Sequence, residues 1–404
     1  MKKAALLLLL VPFCAGAAAA YDLGVALDQT AGVGGIGDAA GAAAGAAALF
    51  DYSASLIPWF STPLGDEGDI FVSAGLTAGY ENKNGFFVPE LLRTEFSWRF
   101  NNALRVRAGR LSYADPLDFV VDGLLDGAQV FYNTLMGTLN AGIWYSGLLY
   151  KKTTKITMTA EDFISYYDNK KYASSRRMLM TAGWEHPALW ELLRLRVSFT
   201  GQFDVNGRDT AYHSQYVTAK VGMPFERFAF EVGGALQLAQ DADKSGAAFA
   251  GEFGASWKPP TAFQSQLSFN GRFTSGRTES GSVVAFVPVT TLEQGDILKA
   301  RLSGLSALNL DYTARFRQDL SSSLGLTYFA RSDLGTYTGY PWGGMADNKG
   351  YFVGGELFGR VIWSPVSDLR LNAGAGVFLP ALGNVAPKAD PQWRIELNLV
   401  FMIY

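Results

Sequence analysis

The chain has 404 residues, a formal net charge of −3, 14% aromatic residues, 45 glycines, two histidines and one cysteine. That balance excludes nucleic acid, whose partners carry a concentrated basic surface, and leaves almost nothing for a soft-metal site, so no cofactor is expected. Mean hydropathy is only +0.08 and no apolar run of helix-spanning length follows the first residues, so any large hydrophobic surface must be hidden by alternation.

The first residues read as an export signal. Lys2 and Lys3 precede the apolar run Ala4–Phe13, and the small-residue tract Ala15–Ala20 follows. A charged start, a short apolar run and an Ala-x-Ala-like end make residues 1–20 a signal peptide with cleavage between Ala20 and Tyr21. Cys14 offers a rival reading as a lipid-acylation site, but Pro12-Phe13 is bulky where such a site wants small residues. Cys14 is the only cysteine, so the chain beyond it has no thiol to mispair in an oxidising compartment.

From Tyr21 onward the dominant pattern is period-two alternation. Residues 21–29 form a short first strand, and the Ala/Gly-rich tract 30–47 is either a flexible loop or a plug-like helix in a barrel mouth. Strands follow at 46–60, 68–81, 86–99, 103–113, 123–133 and 137–149. A second group lies at 177–186, 191–204, 213–224, 228–239, 246–258 and 262–275, and a third at 308–318, 321–332, 350–364, 368–379 and 391–403. Long outer loops are expected at 150–176, 276–307 and 333–349. The stretch 276–307 holds either one loop or an extra hairpin, Val283–Pro288 with Leu298–Leu305.

The closing strand shows the pattern most plainly. In PQWRIELNLVFMIY, Trp393, Ile395, Leu397, Leu399, Phe401 and Ile403 share one face, while Arg394, Glu396 and Asn398 share the other. So many such strands exceed an ordinary soluble sandwich of about 100 residues. The fold class is all-β: an antiparallel transmembrane β-barrel spanning 21–404, with an apolar outer face and a polar lumen. The count is eighteen strands, twenty with the extra hairpin, and boundary uncertainty keeps it within about 16–20.

Connections alternate between a short set (such as 61–67, 100–102, 134–136, 225–227 and 319–320) and a long set. Short periplasmic turns and long outer loops are the rule for these barrels, so both termini are placed in the periplasm. Trp59, Trp98, Trp184, Trp190, Trp257 and Trp363 lie beside short turns, as an interfacial aromatic girdle would. Tyr404 breaks the expectation of an outward terminal aromatic, because it shares parity with Arg394 and Glu396.

With the outer face assigned, arginines collect on the inner one: Arg93, Arg99, Arg105, Arg107, Arg194, Arg196, Arg272, Arg315, Arg317, Arg360, Arg370 and Arg394. Inward acids are fewer, chiefly Glu95, Glu231, Glu252, Asp311, Glu356 and Glu396. A charge facing lipid at mid-bilayer costs several kcal/mol, so these side chains face water or one another as pore-lining groups. They form either cross-lumen ion pairs that stiffen the wall or a positive field that favours anions. Glu95 is the acid best placed to meet Arg105 or Arg107. The loop 150–176, rich in Lys, acids and Tyr, is a solvated or binding segment or an inward constriction, with the solvated reading ahead. His186 at a short turn and His213 near Asp209 and Ser214 are not positioned by any nucleophile motif, so no enzymatic activity is expected.

The stretches YDLGVALDQT (21–30), VPELLRTEFSWRF (88–100) and RVRAGRLSYADPLDFVVDGLLDGAQVFYN (105–133) resemble those of spirochaetal, treponeme-type outer-membrane barrel proteins. The Gly-Arg strand followed by Asp-Gly is also similar to alginate-export porins, over about thirty residues. That second resemblance implies an arginine-rich lumen for an anionic polymer, with Arg93, Arg105, Arg107, Arg194 and Arg196 as the matching candidates. Taken with the lumen, the expectation is an outer-membrane porin-like channel for small hydrophilic solutes. The alternative is a surface adhesin or structural barrel working through its loops. The partners expected are outer-membrane lipid, the barrel-assembly machinery and the solutes themselves; the sequence leaves the oligomeric state open.

Overall fold

The structure is a computed structural model that describes residues 21–35, 49–81, 84–207, 211–241, 244–278, 283–334 and 350–404. The expected signal peptide, most of the Ala/Gly-rich tract and most of the loop 333–349 lie outside the described residues. Alternating sequence has become one closed antiparallel sheet of eighteen strands. In order they are β1 (Asp22–Gly34), β2 (Leu49–Leu64), β3 (Gly68–Glu81), β4 (Asn84–Arg99), β5 (Leu104–Ala114), β6 (Asp122–Thr134) and β7 (Gly137–Tyr145). Then come β8 (Arg177–Leu189), β9 (Leu193–Asp204), β10 (Tyr212–Pro224), β11 (Phe228–Asp241), β12 (Lys244–Trp257) and β13 (Gln264–Thr274). After a two-residue ladder, β14 (Glu293–Gln294) with β15 (Ala300–Arg301), the wall resumes. It ends with β16 (Leu305–Arg317), β17 (Leu320–Arg331), β18 (Phe352–Val366), β19 (Leu369–Leu379) and β20 (Gln392–Ile403).

Closure is made by the first and last strands, which pair antiparallel from Val25↔Ile403 to Gly34↔Arg394. Side chains reinforce the seam: the Asn398 amide donates to Asp28 Oδ1 at 2.6 Å, and Arg394 bridges to Asp51 of β2 at 3.0 Å. The alternation in sequence becomes alternation in exposure. On β20, Leu397 is 51% exposed while Arg394, three residues away on the other face, is 9% exposed. Every strand expected from the sequence is present, and the stretch 276–307 adds no wall strands. Among the described residues before β16 it folds as a loop that carries the short ladder β14–β15. The first strand runs longer than expected, because Thr30–Gly34 continues the ladder. β7 is shorter than expected, because the chain leaves the wall after Tyr145.

Aromatic rings cluster at the short-turn end. Trp98 stacks on Phe96 and Trp257 on Phe228, both pairs on the exposed face. Trp59 instead shares the inner face, opposite Gly24, and Tyr404 meets it edge-on with ring centroids 6.0 Å apart. The inward parity of Tyr404 thus has a physical reason: the terminal ring packs on an inward tryptophan.

Candidate functional site

At the long-loop end, several of the described connections fold inward. The loop after β5, residues 115–121, is organised by Asp115, whose buried carboxylate accepts the backbone N–H groups of Leu117, Val120 and Val121 at 2.8–3.0 Å. The connection after β13 returns backbone bonds to it, with Val289 N–H donating to Val120 O at 2.8 Å. Together they bury Leu117, Phe119, Val120, Phe286, Val289 and Leu302 against Leu111 and Leu125 of the β5–β6 hairpin and Trp144, Leu179 and Tyr216 of the wall. Residues 297–300 and 385–386 form a second apolar cluster over Phe329, Phe358 and Phe378.

The loop 146–176 is folded rather than merely solvated. It carries two short helices, α1 (Lys151–Thr154) and α2 (Ala160–Tyr167), the latter started by a capping box between Thr159 and Asp162. Arg177, 0% exposed, pins α2 to the wall by ion pairs to Asp162 at 2.5 Å and Asp204 at 2.8 Å. Thr157 bonds Thr291 at 2.6 Å, which ties this loop to the one after β13. The loop is thus tied both to the wall and to the connection after β13.

The two apolar clusters fill one side of the lumen only. Neither contains a residue from β1–β4 or β20. The inner face of those five strands carries Asp28, Asp51, Ser53, Ser55, Thr77, Arg93, Glu95, Arg394, Glu396 and Asn398 instead. That polar face, outside both apolar clusters, is the candidate pathway.

The arginines expected on the inner face fall into two sets. In the first, each meets an acid. Glu95 binds Arg93 (Nε at 2.8 Å) and Arg107 (Nε at 2.5 Å) together. Arg272 lies 3.5 Å from Glu252, which also holds Lys220 at 2.9 Å beside Glu231. Arg360 reaches Asp296 and Glu396 at 3.0 and 3.1 Å, and Arg394 reaches Asp51 and Glu396. Arg317 pairs with Asp319 at a short turn, where the guanidinium holds that exposed carboxyl below its usual range. In the second set, Arg99, Arg105, Arg194, Arg196 and Arg370 have no acid within ion-pair distance among the described residues. Arg105 instead lies over the Phe131 ring at 4.7 Å, and Arg315 donates to Gln318 O at 2.8 Å.

Of the acids, Glu356 is not open to the lumen. It is 2% exposed and accepts the N–H groups of Asp296 and Leu298, so it anchors a loop. Asp311 is half-buried with no cation partner among the described residues. Sequence reasoning missed Lys220, Asp51 and Asp296. The first two lie on the inner parity of their strands and could have been found by extending the same count; Asp296 sits in a loop and carried no such signal.

No protein-family model and no curated protein sequence matches the chain. Solved structures do match in fold. Pseudomonas aeruginosa OpdO has a TM-score of 0.61 at 12% identity, covering 95% of this chain and 97% of that one. Pseudomonas aeruginosa OpdQ gives 0.60 at 10% identity over 95% and 98%. The outer membrane protein OpdK of the same organism gives 0.59 at 10% identity, again over 95% and 98%. What these likenesses share with the sequence resemblance is its coarser part: the chain has the eighteen-stranded antiparallel barrel fold of outer-membrane porins.

Proposed function

We propose that the chain is an outer-membrane channel for the passive diffusion of small hydrophilic solutes, with a preference for anions. The observation that carries this is that neither apolar cluster includes a residue of β20 or β1–β4, whose inner faces carry charged and polar side chains above the Trp59–Tyr404 contact at the short-turn end. An apolar outer face on a closed sheet fits lipid, since closure leaves no unpaired edge in hydrocarbon. The short turns belong on the periplasmic side with both termini, so the inward loops guard the outer mouth. Folding into the membrane would use the barrel-assembly machinery.

Anion preference rests on the arginines that have no acid. Arg194 and Arg196 lie two apart on one strand, with Lys220 the ladder partner of Arg196. Guanidinium stays charged at all accessible pH. At an effective dielectric of about 20, one such charge favours an anion passing about 8 Å away by roughly 2 kcal/mol before salt screening.

Purified protein in a planar bilayer should conduct, and its reversal potential in a KCl gradient should report chloride preference. That preference should weaken in Arg194→Ala/Arg196→Ala. Cation selectivity in the wild type ends the anion reading. Absence of conductance, with ligand binding lost on deleting 150–176, turns the reading to the adhesin alternative.

A further inference from the structure

The β5–β6 hairpin leaves the wall at one level on both of its sides. β4 pairs with β5 from Arg99↔Arg105 up to Thr94↔Arg110, where the ladder stops although β4 continues to Asn84. β6 pairs with β7 from Thr134↔Gly137 up to Asp126↔Tyr145, where that ladder stops too. Arg110 and Asp126 are partners in the β5–β6 ladder, which runs on to Ala114↔Asp122. Beyond that rung the hairpin keeps its own hydrogen bonds and has no ladder to either neighbour. Its tip crosses the lumen: Leu117 reaches Gly233 of β11, and Phe119 lies 5.6 Å from the Arg272 guanidinium of β13.

The gap left in the wall is taken by an extension of the β7–β8 hairpin. Tyr150 and Ala173 form a bridge there, flanked by bonds from Lys151 N–H to Tyr172 O and from Ser174 N–H to Leu149 O. This extension reaches across to β4, where the Tyr172 hydroxyl donates to Pro89 O at 2.9 Å and Thr153 donates to Glu90 at 2.8 Å. Pro89 suits an edge that has lost its ladder, because it has no N–H to leave unpaired.

A pivot and a latch sit at the rung where the hairpin departs. Gly109 and Gly127 are cross-strand partners one step below Arg110 and Asp126. Gly109 has φ +121°, and a Cβ on either glycine would collide with a neighbouring strand's carbonyl, Thr94 O or Ile143 O. Only glycine lets the two flanking strands close in as the hairpin tilts away. Arg110 then ties four segments together. It binds both oxygens of Asp126 at 2.8 and 2.9 Å, Leu91 O of β4 at 2.5 Å, and Leu148 O of the extension at 3.4 Å. The guanidinium thus occupies a carbonyl on the edge of β4 that a continued β4–β5 ladder would face.

We propose that the tip of the β5–β6 hairpin is a hinged gate on the channel proposed above, and the inference rests on that reading. It pivots at Gly109–Gly127 and is latched across the lumen by Arg110. It exchanges between this position and the place in the wall now held by the β7–β8 extension. Each arrangement gives the β4 edge partners, so the element has two discrete states rather than a continuum.

The test uses a Cys14→Ser background and a membrane-impermeant maleimide. Leu117→Cys reports the tip, and Phe329→Cys, fully buried in the other apolar cluster, reports general loosening. Asp126→Asn or Arg110→Lys should raise Leu117→Cys labelling tenfold or more and leave Phe329→Cys unchanged. Equal rates with and without the latch overturn the proposal, as does a parallel rise at Phe329→Cys. In bilayers, an oxidised Leu117→Cys/Gly233→Cys pair should hold the channel at its lowest conductance level, and reduction should restore switching to a higher one. Identical traces before and after reduction overturn the gate. A protein that labels as expected yet never conducts overturns the channel reading while the hinge stands.

Discussion

Glu95 holds two arginines at once, Arg93 beside it on β4 and Arg107 across the ladder on β5, and is itself 6% exposed. Glu95→Gln should therefore act on stability and selectivity together. Losing charge-assisted bonds to a buried carboxylate costs about 1–3 kcal/mol, discounted because Arg93 is 42% exposed and water can replace its partner. The midpoint of heat-modifiable migration should fall, while chloride preference should rise as two guanidinium charges lose their compensation. A selectivity shift towards cations would contradict the pathway along β4. This pairing was legible in the sequence, because inner parity puts Glu95 and Arg107 on one face of adjacent strands. Arg110 and Asp126 were not found, although a signal existed. Leu111, Tyr113 and Leu125 face the lumen, which puts both charges on the outward parity. A charge where lipid should be, with Pro89 in the neighbouring strand, marks the place where strands leave the wall.

Among elements, strands were legible and inward loops were not. A strand declares itself locally through period two. A lumen loop is held by groups far apart in the chain, such as Asp122 N–H donating to Thr290 Oγ1 across 168 residues, and no local pattern encodes that. Asp115 is the local organiser of one such loop. Burial, the largest influence, pushes its carboxyl above the usual range against three backbone donors that pull it down. A folded-state pKa raised above the unfolded value means docking is strongest below the ordinary carboxylate range, near about pH 4, and weakens as pH rises through the raised value. Limited proteolysis of 115–121 should then increase with pH over that window, and Asp115→Asn should remove the dependence. Asp115→Ala should open the loop at every pH, since three buried N–H groups lose their acceptor at about 1–3 kcal/mol each. Cleavage independent of pH in the wild type would show that the three donors, not burial, set the carboxyl.

At the scale of the whole molecule, two structures share one chain: a wall closed by hydrogen bonds and a filling that leans on part of it. The wall needs no filling to close, because β1 and β20 complete the ladder directly and every barrel strand has two neighbours. The filling does need the wall, since Phe286, Val289 and Leu302 are fully buried in a cluster that includes the wall side chains Leu179, Tyr216 and Ala235. Each such residue gains about 1.5–3 kcal/mol from burial, so the connection after β13 is stably docked without being part of the closure. Replacing residues 284–303 with a short Gly/Ser linker should therefore leave an eighteen-stranded barrel that still shows heat-modifiable migration. Its single-channel conductance should rise about twofold or more, since a barrel of this size is wide enough for a water-filled lumen once unfilled. The current should also become noisier, because Phe119 of the β5–β6 tip loses the Phe286 ring packed edge-on at 6.3 Å. Unchanged conductance with an intact barrel would place the narrowest point elsewhere, at residues 385–386 or the helices of 146–176. Loss of heat-modifiable migration would show that the filling holds the wall closed and that the dependence runs the other way.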